Sequence, residues 1–274
     1  MESYELSDGS IPELGFGTYQ LRDEDCVNAV MKALETGYTH IDTADIYGNE
    51  SDVGDAIKKS DVDREELFLT TKVWRSNLSY RGVMETARQS LKKLDTDYLD
   101  LLLIHWPNED APYPEIFEAM KGLKKQGKVK NIGVSNFTIT HLEKYIKVAE
   151  DAQVSIDVNQ VEFHPLLFQK DLLDYCNEHD VRLTAYSPLA RGDVLDNKVL
   201  NKIGDRYEKT PAQVSLRWIL QKGCVAIPKS GRPERIDENF DIFDFTLDSD
   251  EIEEIDSIDV MERQIDPTFS EFDD

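Results

Sequence analysis

Cysteine is scarce in this 274-residue sequence, and the three present, Cys26, Cys176 and Cys224, are odd in number and far apart. That argues against a disulfide framework and fits a reducing compartment, with the thiols serving as buried filler. No apolar run approaches the ~18 residues that a membrane-crossing helix needs. Met1 to Ser10 carries acids and lacks a basic region followed by an apolar stretch, so nothing there reads as an export signal and a cytoplasmic location is expected. Basic residues are few: 31 Lys and Arg stand against 55 Asp and Glu, a net charge of −24. Such an excess repels nucleic acid and anionic membrane surfaces alike. Spread along the whole chain, it suits a salt-rich cytoplasm with a short screening length, and equally an acidic mesophilic protein. Motifs are missing too. There is no H-E-x-x-H and no Cys/His cluster with ligand spacing, so no metal is expected, and His164 and the other non-catalytic histidines read as structural. There is no G-x-G-x-x-G either, since Gly15-Phe16-Gly17 lacks the third glycine, and a Rossmann cofactor site is not expected.

What is present is an alternation of short β-rich apolar runs with amphipathic helical stretches, unbroken by a linker or an internal repeat, which is the α/β signature. Strands are predicted at His40 to Thr43, Leu67 to Lys72, Tyr98 to His105, Val129 to Ser135, Asp157 to Glu162, Arg182 to Ser187 and Cys224 to Ile227, with an eighth at Asp241 to Phe245. The nearly continuous hydrophobe of Tyr98 to His105 is expected of a parallel strand covered on both faces. Val27, Val30, Met31 and Leu34, and again Leu142, Tyr145, Ile146 and Ala149, fall at helical spacing and give each helix one apolar stripe. Thr140-x-x-Glu143 and Thr210-Pro211-x-Gln213 read as capping boxes that start two helices. Tyr4-Glu5-Leu6 and Ile11 to Leu14 flank Asp8-Gly9, a type I′ turn signal, so a hairpin is predicted to close the floor. Periodicity alone does not separate a closed barrel from an open doubly wound sheet. Polar residues that recur at the C-terminal ends of several separate strands favour the barrel, and the length is close to the ~250 residues typical of one. The expected architecture is a single (β/α)8 TIM barrel domain over residues 1–274.

Seven motifs sit at those strand ends: Ile41-Asp-Thr-Ala-Asp-Ile-Tyr-Gly-Asn-Glu50, Thr71-Lys-Val-Trp74, Leu103-Ile-His-Trp-Pro107, Gly133-Val-Ser-Asn-Phe137, Asn159-Gln160, Ala185-Tyr-Ser-Pro-Leu189 and Ile227-Pro-Lys-Ser230. Together, and in this order, they resemble the aldo-keto reductase superfamily, over a stretch from about Gly15 to Asn239. The short ending, Arg263 to Phe269, resembles prokaryotic members such as 2,5-diketogluconate and methylglyoxal reductases. The resemblance implies NADPH-dependent reduction of a small aldehyde or ketone by a monomer. Its rival is a non-catalytic or regulatory NADPH-binding protein on the same barrel, which would not require the catalytic residues.

By the same resemblance, Asp42, Tyr47, Lys72 and His105 form the catalytic tetrad. The chemistry agrees: carbonyl reduction needs a proton for the developing alkoxide, and a free phenol with a pKa near ~10 is a poor donor at neutral pH. A neighbouring ammonium, Lys72, would lower it, with Asp42 anchoring the lysine and His105 orienting the carbonyl. The resemblance lays an extended cofactor across the C-terminal mouth. Ser135, Asn136 and Gln160 would meet its carboxamide, Tyr186 its ring, and Ser187, Leu189 and Arg191 its pyrophosphate. Pro228 to Arg235 is a local reversal of sign in an acidic chain, with Lys229, Arg232 and Arg235 against Glu234 alone. There the resemblance puts the adenosine 2′-phosphate on Lys229, Ser230 and Arg235, with Glu238 and Asn239 near the adenine, and so favours NADPH over NADH. Tyr19, Trp74 and Trp106 would wall the substrate pocket, Tyr19 standing where tryptophan is frequent. A short tail implies an open pocket and broad specificity.

Overall fold

The computed structural model describes residues 2–272; the three end residues of the expected 1–274 domain lie outside that range. A hairpin of β1 (Ser3–Glu5) and β2 (Ser10–Pro12) comes first. Its loop closes through the Leu6 N–H donating to Gly9 O at 2.9 Å, and only Gly9 is left-handed (φ 82°), so the turn is a longer loop than the expected type I′ pair. Asn131 fastens it to the barrel, accepting from the Asp8 N–H and donating to Asp8 O. Tyr4, Leu6 and Ile11 thereby plug the lower end of the barrel against Phe68, Leu101, Val158 and Val225.

Eight parallel strands follow: β3 (Phe16–Gly17), β4 (His40–Asp42), β5 (Phe68–Val73), β6 (Leu99–Ile104), β7 (Val129–Ser135), β8 (Val158–Glu162), β9 (Arg182–Tyr186) and β10 (Val225–Ala226), each hydrogen-bonded to the next. The ring closes where Leu14 bridges Ala226 and the Gly15 and Gly17 N–H groups donate to Ala226 O and Pro228 O. β6 shows why such a strand reads as unbroken hydrophobe: its pleat sends Leu101 and Leu103 into the barrel and Leu102 and Ile104 into the outer layer beneath the helices.

Seven of the predicted strands are present, and the eighth is displaced. Asp241 to Phe245 is a loop that follows helix α9 (Pro233–Phe240); its Asp241 carbonyl is taken by Gln213 and Lys209, and no ladder forms. The missing strand is β3. Its glycines hide it from a β-propensity pattern, yet the barrel requires them, since a Cβ on Gly15 would lie 2.4 Å from His40 Nδ1 and one on Gly17 3.0 Å from Ile227 O.

The main outer helices are α1 (Asp23–Thr36), α2 (Glu50–Lys59), α3 (Tyr80–Lys93), α4 (Tyr113–Lys125), α5 (Ile139–Asp151), α6 (Lys170–Glu178), α7 (Lys198–Tyr207) and α8 (Pro211–Gln221), with α9 and α10 (Ser249–Asp256) completing the set. The Thr210–Gln213 capping box is formed as expected. At α5 the cap is Thr138 rather than Thr140: the Thr138 side chain accepts from the His141 N–H, while the His141 ring accepts from the Thr138 N–H. A histidine replaces the usual Glu or Gln there, which is why the pattern pointed two residues too far along. Among the described residues no helix is long and apolar enough to cross a membrane.

Candidate active site

The C-terminal strand ends open into one cavity of about 1140 Å³. Asp42 ends β4, and Lys72 stands one strand over on β5, both essentially buried. The Lys72 Nζ donates to Asp42 Oδ1 at 2.5 Å and to Thr43 O at 2.8 Å, which leaves its third N–H unspent. The other Asp42 oxygen accepts from Gln160 Nε2 at 2.7 Å, drawing β8 into the same network.

Tyr47 comes from the turn after β4, a 3-10 segment at Asp45–Tyr47 that ends on left-handed Gly48 (φ 69°). Fully buried Asn49 holds this turn in place: it accepts from Thr43 Oγ1 and donates to the Thr18 and Leu21 carbonyls. The ring is thereby set over the pair, with Lys72 Nζ 5.0 Å from its centroid. His105, just past β6, faces it edge-on at 5.6 Å, and Tyr19 leans against its other side at 5.1 Å.

The electrostatics differ from the expectation in one respect. Burial, then the Asp42 carboxylate, hold the Tyr47 phenol well above its ordinary range instead of lowering it. The reason is that Asp42 neutralises Lys72, so the phenol meets a pair of little net charge and desolvation dominates. The Lys72 ammonium is itself pushed down by burial and propped up by Asp42. Burial and Lys72 keep the His105 imidazole neutral by driving its pKa well down. Its Nδ1 is buried without a partner, so Nε2 is the ring nitrogen with access to the cavity.

Every residue predicted for the site lines this one cavity except Lys72, which lies beneath it. Ser135, Asn136 and Tyr186 are already bonded among themselves: Tyr186 donates to Asn136 Oδ1 at 2.7 Å, Asn136 Nδ2 donates to His105 O and Ser135 Oγ, and Ser135 Oγ donates to Gln160 O. Gln160 keeps its Oε1 as the amide acceptor facing the cavity. Past β9 the chain is tightly coiled, with Ser187, Ala190 and Arg191 all at positive φ, a concentration of backbone strain that is found at ligand-binding loops. At the far end stand Arg191, Lys229 and Arg235, exposed and with no carboxylate among the described residues within 4.0 Å, while nearby Asp237 pairs with Lys32 instead. Arg232 is exposed and does not line the cavity.

The motifs give no sign of Arg22 and Ile46 on the wall, nor of the tail's part in it. The tail lays Ile265, Pro267 and Phe269 along the cavity, and the Phe269 ring meets Trp74 at 5.7 Å and Trp106 at 5.4 Å. Two phenylalanines in an acidic, polar ending were the available signal. One cluster outside the cavity, Glu109, His141 and Glu271, brings possible ligand atoms within 4.8 Å of one another. There the Thr138 N–H donates to His141 Nδ1, which places the proton on Nε2, and Nε2 donates to Glu271.

The phenol over a buried ion pair, at the C-terminal mouth of a parallel barrel, is the arrangement that the resemblance to aldo-keto reductases implies. The Aldo/keto reductase family model matches residues 13–260, and the chain belongs to that family. It is similar to the glyoxal reductase of Bacillus subtilis (strain 168), 47% identical over 92% of this chain and 91% of that protein. Likeness to the methylglyoxal reductase DkgA of Escherichia coli (strain K12) is 46%, over 94% of each chain. Among solved structures, MGS-M4, an aldo-keto reductase from a Medee basin deep-sea metagenome library, superposes with a TM-score of 0.89 at 44% identity over 96% of each chain.

Proposed function

We propose that the chain reduces small aldehydes and ketones to alcohols with NADPH, Tyr47 supplying the proton. The observation that carries this reading is the Asp42–Lys72 pair buried beneath a largely buried phenol, in the cavity that also holds neutral His105. The relatives named for glyoxal and methylglyoxal reduction support a small dicarbonyl or aldehyde as substrate. Trp74, Trp106, Tyr19 and Phe269 offer it an aromatic, largely uncharged wall.

The residues present fit a phosphorylated dinucleotide. Three cations without carboxylate partners among the described residues line one end of the cavity in a chain of charge −24, an arrangement that suits an anionic ligand and that bidentate arginine would exploit. Lys229, Ser230 and Arg235 would hold a 2′-phosphate, with Glu238 and Asn239 beside the adenine. Arg191, Ser187 and Leu189 would hold the pyrophosphate, and the Tyr186 ring with Ser135, Asn136 and Gln160 the nicotinamide. When bound, the cofactor supplies the hydride.

The protein's own part is proton handling and orientation. His105 Nε2 donates to the substrate oxygen and turns the carbonyl carbon toward the hydride face. As negative charge grows on that oxygen, the Tyr47 hydroxyl gives up its proton to it. The Lys72 ammonium, 5.0 Å from the ring centroid, offers its charge to the phenolate that results, and Asp42 keeps the ammonium charged meanwhile. A phenol held high does not lose its proton before the substrate arrives. The same reading makes the chain a cytoplasmic monomer. The test is consumption of NADPH and of NADH, side by side, with methylglyoxal and a panel of aldehydes. The reading expects rapid NADPH oxidation and much weaker use of NADH, and no carbonyl-dependent oxidation of either would overturn it.

A further inference from the structure

Glu162 is a carboxylate with 1% of its surface exposed, at the end of β8, and the chemistry assigned above makes no use of it. It lies two residues beyond Gln160 and so on the same face of the strand. A buried carboxylate is costly unless donors surround it, and three do. His164 Nε2 approaches Oε1 at 2.9 Å and, because a carboxylate only accepts, must donate. The other two donors are backbone groups of the C-terminal tail: the Gln264 N–H at 2.7 Å from Oε1 and the Ile265 N–H at 2.8 Å from Oε2.

The tail reaches this point in register. Met261 bridges Leu167, and the Glu262 N–H donates to Leu166 O, so the segment runs antiparallel to the loop after β8 before Glu162 takes hold of it. Beyond the clip, Ile265 and Phe269 form cavity wall, and the segment is tied down again where Glu271 meets Arg75 and His141. Phe269 therefore hangs between two polar anchors, and the inner one is buried, short and specific to two backbone amides.

We propose that Glu162 is a positioning residue, whose buried carboxylate clips the tail backbone at Gln264 and Ile265 and so fixes the wall that selects among carbonyl substrates. Docking the tail and satisfying Glu162 are one event: with the tail lifted, the carboxylate keeps only His164. Substrates that extend past the reacting carbonyl, such as aromatic aldehydes, depend on the clip. A substrate as small as methylglyoxal does not. This inference rests on the carbonyl-reductase reading for its kinetic arm and on geometry alone for its structural arm.

The test compares wild type with E162Q, which keeps size and His164 but sets an amide NH2 against a backbone donor. Two readouts are taken: amide hydrogen exchange at Gln264 and Ile265 in the free protein, and KM and kcat for methylglyoxal and for benzaldehyde. E162Q is expected to speed exchange at both amides and to raise the benzaldehyde KM by about tenfold, the equivalent of one charge-assisted hydrogen bond, with methylglyoxal kcat within about twofold of wild type. In a chain ending at Arg263, which has no tail left to clip, adding E162Q should raise the benzaldehyde KM no further. Should E162Q fail to fold, E162D, which keeps the charge but retracts it from Ile265, carries the same expectations at smaller size. Unchanged exchange together with an unchanged benzaldehyde KM would overturn the proposal, as would an equal loss of kcat on both aldehydes. A wild type inert toward every carbonyl would instead sink the functional reading and leave the exchange result standing.

Discussion

Replacing Asp42 with Asn would leave the Lys72 ammonium buried without its counter-charge. In the native site burial lowers the lysine's pKa and Asp42 opposes that, so deleting the carboxylate drives it lower still. The cost has a ceiling, because the lysine escapes by giving up its proton. From an ordinary value of 10.5, full neutralisation costs about 4.8 kcal/mol at pH 7 and about 1.4 kcal/mol at pH 9.5. The sign follows from proton counts. Between the folded and unfolded pKa values the unfolded chain binds the extra proton, so the variant's stability rises with pH across that window. Urea unfolding of wild type and D42N at both pH values measures this as a gap, to be read as the difference between the two proteins. The gap should be about 3–5 kcal/mol at pH 7, the range for a broken buried pair, and should be smaller at pH 9.5. A gap under about 1 kcal/mol, or one indifferent to pH, would refute the reasoning that Lys72 is a buried cation held by Asp42.

Other outcomes follow from the same geometry. Arg235→Ala should raise the NADPH dissociation constant by about ten- to a hundredfold and leave that for NADH nearly unmoved, measured by fluorescence titration. Gly15→Ala forces a Cβ to 2.4 Å from His40 and should cost about 1–3 kcal/mol in chemical denaturation, since the ring closes there. Because the phenol is held high and the imidazole low, the rate of carbonyl reduction should stay level from roughly pH 6 to 8 and fall only on the alkaline side, where the donor loses its proton. If the acidic excess is an adaptation to salt, activity and folding should rise from dilute buffer to molar KCl, and full function without salt would exclude it.

The sequence made the site more legible than the barrel's seam. The residues at Asp42, Lys72, His105 and Gln160 sit at strand ends flanked by strong β formers, so motif and periodicity agreed. β3 is the opposite case: two glycines that the closing contacts demand removed the apolar alternation by which a strand is recognised. Asp241 to Phe245 had that alternation without a ladder to join, because Ile242 and Phe245 pack into the layer under the helices. The tail's place on the cavity wall was illegible for a different reason. Its position depends on Glu162, Arg75 and His141, residues remote in sequence, and within the tail only the phenylalanines hint that it packs at all.

The most direct test of the central claim is single-turnover oxidation of bound NADPH by methylglyoxal in wild type and in Tyr47→Phe, with cofactor affinity measured alongside. Loss of the phenolic proton should slow the chemical step by about 10²–10⁴-fold while NADPH binds as before. Equal rates in the two proteins would contradict it.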